Sequence, residues 1–445
     1  MGRIFTSTLS SVFGFWLVTV LAACQFSIDA PVLPYQALQV ESIIAYGDGY
    51  MAGYTNSTRR NEEIHGIGGL YEEGQMTSVP KLVVDQYNAL RQNHDFQPIL
   101  FRQPLAWGEG SGRLTVDKLA TPGCSFLPSY AITHHEIAHS RWEEPLSGPF
   151  HNFSVPHLKT SQIKQADLGY NNPFYHRVHP DSTLSYLELI RKQDADLFLL
   201  WIGTNDLLEH ALSGANAQEF AMTEVALFAE LYREILQTQF NLGRKGLVAT
   251  IPDVTLFPYF QTVPRNYLHF QNCFANPKPV FIEAKVDSAT IVRAATQDDL
   301  LLLPSQNLIN QGNNGYGLSE SSPVPDRLVL DEGEVAQIRE RTKQYNDVIM
   351  NLLEEFNSQS DESTLSLVRL DLTFDQLREG EFETGVYLDS KHLTGGVFNL
   401  DGLYLTPRGN ALIANHFIRE INRFPAFKAT MPVLNLREFS GVLFP

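Results

Sequence analysis

Ser42-Ile43-Ile44-Ala45-Tyr46-Gly47-Asp48-Gly49-Tyr50-Met51-Ala52-Gly53 is the stretch that decides the fold of this chain. Ser42 to Tyr46 is a short apolar run of strand length, and Gly47-Asp48-Gly49 breaks it into a loop. Three further apolar runs, Asp196 to Ile202, Gly246 to Ile251 and Leu365 to Leu370, have the look of strands buried on both faces, as in a parallel sheet. Between and after them, apolar residues recur at helical spacing over Ala217–Leu242, Asp331–Phe356 and Pro407–Arg423. Pro407 falls in the first turn of its helix, where the missing N–H costs nothing, and Thr406 is placed as the N-cap. Buried strands alternating with amphipathic helices predict an α/β protein, a three-layer α/β/α sandwich around a mostly parallel sheet. In such folds the functional crevice lies at the carboxyl ends of the strands.

Working outward, the chain has 445 residues, 43% hydrophobic and 19% charged, which is enough apolar material for one large domain. That domain is expected over residues 42–428, with surface insertions near 105–150 and 305–330 and an extension over 429–445. A formal charge of -17, with no basic patch, argues against a nucleic-acid partner. At the N-terminus, Arg3 precedes an apolar run from Val12 to Ala23 that is short for a membrane span and reads as a signal peptide over residues 1–23. The run ends in Leu21-Ala22-Ala23-Cys24, which resembles a bacterial lipobox. It implies an acylated Cys24, a tether over 24–41 and a membrane partner reached through the lipid. The expected place is the bacterial envelope, as an outer-membrane-anchored lipoprotein facing the periplasm or the surface. Cys124 and Cys273 remain, and a disulfide or two buried thiols are both open.

Four separated segments then carry a specific resemblance. They are Ala45-Tyr46-Gly47-Asp48-Gly49-Tyr50-Met51-Ala52-Gly53, Asn152-Phe153-Ser154-Val155-Pro156-His157, Leu200-Trp201-Ile202-Gly203-Thr204-Asn205-Asp206, and Leu400-Asp401-Gly402-Leu403-Tyr404-Leu405-Thr406-Pro407-Arg408-Gly409. In order and spacing they resemble the four blocks of the SGNH or GDSL hydrolases, especially lipoprotein-like members from Bacteroidota. The resemblance implies ester hydrolysis without a cofactor. A serine in the first block attacks, a histidine in the last takes its proton, and an aspartate three residues earlier orients the imidazole. An oxyanion hole forms from the serine N–H, a glycine N–H of the second block and the asparagine side chain of the third.

Carried over residue by residue, the chemistry is missing. The nucleophile position holds Gly49, the base position Tyr404 and the second-block glycine position His157, while Asp48, Asn205 and Asp401 are retained. A phenol with an ordinary pKa of about 10 stays protonated at neutral pH. The resemblance therefore implies an inactive relative that binds a small molecule, lipid, glycan or partner in the former crevice, through Asp48, Gly49, Tyr50, Asn205 and Tyr404. One alternative is an active esterase using displaced groups. Asp389-Ser390-Lys391-His392-Leu393-Thr394 repeats the last-block spacing and offers His392, although a glycine pair and β-prone residues follow it instead of a helix. A second alternative is zinc-dependent hydrolysis by His135-Glu136-Ile137-Ala138-His139, which on a helix would set two imidazoles one turn apart; a solvated loop is the plainer reading.

Overall fold

The computed structural model of the chain describes residues 40–55, 69–70, 72–93, 96–104, 113–119, 130–135, 146–179, 183–265, 279–286, 289–309, 316–360, 363–424 and 430–442. The expected signal peptide, Cys24, Cys124, Cys273, Glu136 and His139 lie outside these residues.

β1 (Ile43–Gly47) runs into a one-turn helix, α1 (Gly49–Ala52), and α2 (Val79–Gln92) follows. Next come β2 (Leu197–Trp201), α3 (Thr204–Leu212), α4 (Val225–Asn241) and β3 (Lys245–Ala249). A hairpin of β4 (Phe281–Val286) and β5 (Ala289–Ala294) precedes α5 (Glu332–Ser358), β6 (Leu365–Val368), α6 (Leu370–Glu379) and α7 (Pro407–Arg423). The four strands expected from sequence form one parallel sheet in the order β1-β2-β3-β6, with Ile43 opposite Leu197 and Gly47 opposite Trp201. Helices α2 and α7 pack together, and α4 packs against α5, which gives the expected α/β sandwich. Every residue of β1 and β2 is buried, which explains their unbroken apolar sequence.

The second block extends this sheet at its β1 edge. Ala45 N–H donates to the His151 carbonyl (2.8 Å), Phe153 N–H to the Ala45 carbonyl (2.9 Å) and Val155 N–H to the Gly47 carbonyl (2.9 Å). Main-chain pairing thus brings the ends of the first and second blocks together, and β2 delivers the third block beside them. Thr406 caps α7 as expected, its Oγ1 accepting from Gly409 N–H at 3.0 Å, and this fixes the last block at the same end of the sheet.

Both ends of the domain reach further than the sequence suggested. Val40 and Glu41, assigned to the tether, are held by Arg91, whose Nη1 donates to the Val40 carbonyl (3.0 Å) and Nη2 to Glu41 (2.8 Å). In the presumed C-terminal extension, Met431 and Leu436 are buried against the core, and Leu434 N–H donates to Asn415 of α7 at 2.7 Å. Of the insertion near 105–150, Arg113–Leu119 and Tyr130–His135 pair as an antiparallel hairpin. His135 therefore ends a strand, where the zinc motif would need the start of a helix. In the other insertion, Val324 and Val329 join a second, small apolar core with Val280 and Ile282.

Candidate functional site

Asp48 sets the geometry of the first block. It is the N-cap of α1, and its Oδ1 accepts from Tyr50 N–H at 3.1 Å. The carboxyl is fully buried, and Oδ2 has no hydrogen-bond partner among the described residues. Burial pushes its pKa up to about 7, with the nearby Asp206 adding to the rise and the amides of Tyr50, Asn205 and Thr204 opposing it. Asp206 is raised to about 6, again mainly by burial, although it accepts from Thr160 N–H at 2.8 Å and from the Thr223 hydroxyl at 2.5 Å.

At Gly49 the site departs from a hydrolase. A Cβ on Gly49 would lie 3.1 Å from Cε1 of Tyr404 and 3.3 Å from Cβ of Tyr54, so the tyrosine ring takes the space beside which a nucleophile would stand. Tyr404 is 3% exposed, and burial holds its phenol well above the ordinary value, with Tyr50 and Tyr54 pushing the same way. A neutral phenol of this kind does not accept a proton. Asp401 has the place of the orienting aspartate, yet its Oδ1 accepts the backbone N–H groups of Leu403 (2.9 Å) and Tyr404 (3.0 Å) and so fixes the turn that carries the ring.

The oxyanion side is altered as well. His157 has a φ of 62°, the left-handed conformation that a glycine adopts freely and a histidine does not. Its imidazole meets the Tyr54 hydroxyl at 3.3 Å and crosses the Tyr54 ring edge-on, with centroids 5.2 Å apart. Asn205, on the first turn of α3, points its Nδ2 at the Leu158 carbonyl at 3.5 Å and is 1% exposed.

Aromatic rings join these positions into one packed unit. Tyr404 lies 5.0 Å from Tyr50 and 4.7 Å from Tyr54, while Tyr50 stacks on Trp201 at 5.0 Å and meets Phe257 at 6.1 Å. The Tyr50 hydroxyl donates to the Leu403 carbonyl at 3.1 Å and so ties the first block to the last. The structure places Asp48, Gly49, Tyr50, His157, Asn205, Asp401 and Tyr404 at the end of the sheet where the four blocks meet. Sequence reasoning missed Tyr54 and Phe174, which close over His157. Tyr54 lies one residue beyond the first block, and only its position there could have drawn attention to it.

His392 stands apart from this arrangement. Its Nε2 contacts the Leu400 carbonyl at 2.9 Å, its Nδ1 is buried without a partner among the described residues, and burial lowers its pKa. Asp389, which would have to orient it, binds the Lys391 N–H and Nζ instead, each at 2.9 Å. Among the described residues no cluster of histidine, cysteine or carboxylate side chains could hold a metal ion, and no helix is long and apolar enough to cross a membrane.

Comparison with known proteins agrees with this geometry. No curated protein matched the chain. The family model described as GDSL-like Lipase/Acylhydrolase matches residues 43–417, a span that begins with β1 and ends within α7. With the strand order, the convergence of four blocks at one end of the sheet and a match over most of its length, the chain belongs to the GDSL-like lipase/acylhydrolase family.

Proposed function

We propose that the protein is a non-hydrolysing member of this family, a bacterial envelope lipoprotein anchored through Cys24, that acts by binding a ligand or partner. The observation that carries this reading is the Tyr404 ring packed on Gly49, 3.1 Å from where a Cβ would stand. Loss of a nucleophile or a base from a serine hydrolase costs on the order of a millionfold in rate. Here both positions hold other residues, and the ring at one packs tightly beside the other.

An occupant of the crevice would meet the half-buried His157 first, above the buried rings of Tyr54 and Tyr404. Asp48, Tyr50, Asn205 and Tyr404 are buried beneath, and His157, half-buried, is the member of the set nearest solvent. The test is hydrolysis of short-chain aryl esters by the purified protein, with an active family member as reference and its serine-less variant as blank. The expected rate equals the blank and is unchanged by His392→Ala. Turnover that His392→Ala removes would replace this reading with an esterase built on displaced groups.

A further inference from the structure

Two arginines far apart in sequence meet on the segment that follows β3. Beyond the carboxyl end of β3 the chain turns through Asp253, Thr255 and Gln261 to Arg265. This segment touches the ring unit of the site: Phe257 meets Tyr50, and Tyr259 N–H donates to the Gly402 carbonyl at 3.0 Å. Arg339 reaches it from α5, its Nε donating to Thr255 Oγ1 at 3.1 Å and to Asp253 Oδ2 at 3.2 Å. Arg265 donates from Nε to the Asp299 carbonyl at 2.6 Å and from Nη2 to Gln261 Oε1 at 3.3 Å. Gln261 Nε2 in turn donates to the Thr255 carbonyl at 2.7 Å, so Gln261 and Thr255 join one guanidinium to the other.

These contacts fix both side chains and leave their outer donors open. Arg265 Nη1 and both Nη atoms of Arg339 have no hydrogen bond or ion pair among the described residues. Burial holds the Arg265 guanidinium below its ordinary range, and Arg339 pushes the same way, against the pull of Asp299 and Asp298. Two like charges kept together are costly unless opposite charge joins them. Asp253 supplies one negative charge, through Arg339. The Asp299 carboxylate is committed to Arg293, at 2.6 and 2.8 Å, and Asp298 makes no ion pair with either arginine.

We propose that Arg265 and Arg339 form a binding site for a tetrahedral oxyanion, a phosphate or sulfate group, with the open Nη groups as its donors. A guanidinium fork pairs two N–H groups with two oxygens. The two oxygens of a carboxylate are used up by the Arg339 fork, whereas a tetrahedral oxyanion keeps another for Arg265 Nη1. The site uses neither Gly49 nor Tyr404, so it is independent of whether the protein turns over esters.

Isothermal titration calorimetry of the purified protein with inorganic phosphate, and separately with sulfate, at fixed ionic strength tests the proposal. Saturable one-to-one binding is expected, weakened at least tenfold in Arg339→Gln. Arg265→Lys, which keeps the charge and loses the fork, should weaken it as well. Arg233→Gln removes an exposed arginine paired with Glu355 on another face, and should bind within twofold of the wild type. Tm values matching the wild type show that the variants fold, and Arg339→Gln, altered at a half-exposed side chain, is the decisive one. No saturable binding of either anion, undiminished binding by Arg339→Gln, or an equal loss in Arg233→Gln would each overturn the site.

Discussion

At the scale of single residues, the site combines a buried acid with a glycine pressed by a ring. Asp48 has a folded pKa of about 7 against an ordinary 3.8, so the folded state binds the proton more tightly than the unfolded chain. Stability from this group is present at pH below about 4, is lost as pH rises towards 7 and stays lost above; Asp206 acts in the same direction up to about 6. Asp48→Asn keeps the N-cap acceptor and removes the buried charge. It should stabilise the protein at pH 8, by on the order of 3 kcal/mol, and have little effect at pH 4.5. Urea titrations at the two pH values check this, and equal destabilisation at both would contradict it. The contact of Gly49 with Tyr404 gives a second prediction. Gly49→Ala should cost about 1–3 kcal/mol in the wild type, because a Cβ at 3.1 Å forces the ring to move, and under about 1 kcal/mol in a Tyr404→Leu background. Costs that add without coupling would mean the ring yields freely. The identities at Gly49, Tyr404 and His157 were legible in the sequence because retained blocks frame them. The packing of Tyr54 and Phe174 over His157 was not, since ring contacts between distant segments leave no spacing pattern.

At the scale of elements, local signals and tertiary pairing contributed differently. Pro407–Arg423 is the helix its periodicity and cap predict, from the first residue to the last, because both ends carry chemical punctuation. Thr406 also donates to the Gly396 carbonyl at 2.8 Å while accepting from Gly409. Thr406→Ala should therefore cost about 1 kcal/mol, measured as a lowered urea midpoint with an unchanged slope; an unchanged midpoint would mean that the cap is idle. β1 and β2 were equally legible as unbroken apolar runs, whereas β6, with Ser366 in its middle and Ser366 and Leu367 only partly buried, is a weaker run at the edge of the sheet. The 151–155 edge segment was not, because its alternation of Asn152, Phe153, Ser154 and Val155 is only four residues long and ends at Pro156, and pairing with β1 is what makes it extended. The β4–β5 hairpin escaped for a related reason: β5 is exposed at nearly every position, so it has no buried face to impose a period of two.

At the scale of the whole molecule, the parallel sheet of the family carries packed aromatic rings at the end where the four blocks converge. The blocks still converge because main-chain pairing between β1, β2 and residues 151–155 depends little on which side chains stand at the tips. Function is therefore read from the site, where aromatic rings close over a bare backbone, and not from the fold alone. If the protein is non-hydrolysing, as proposed, none of its serines forms an acyl-enzyme. Intact-mass spectrometry after incubation with a fluorophosphonate probe tests it most directly, with an active family member labelled in parallel. The expected spectrum shows the unmodified protein alone. A covalent adduct mapped to any serine beside the rings, Ser154 included, would contradict it.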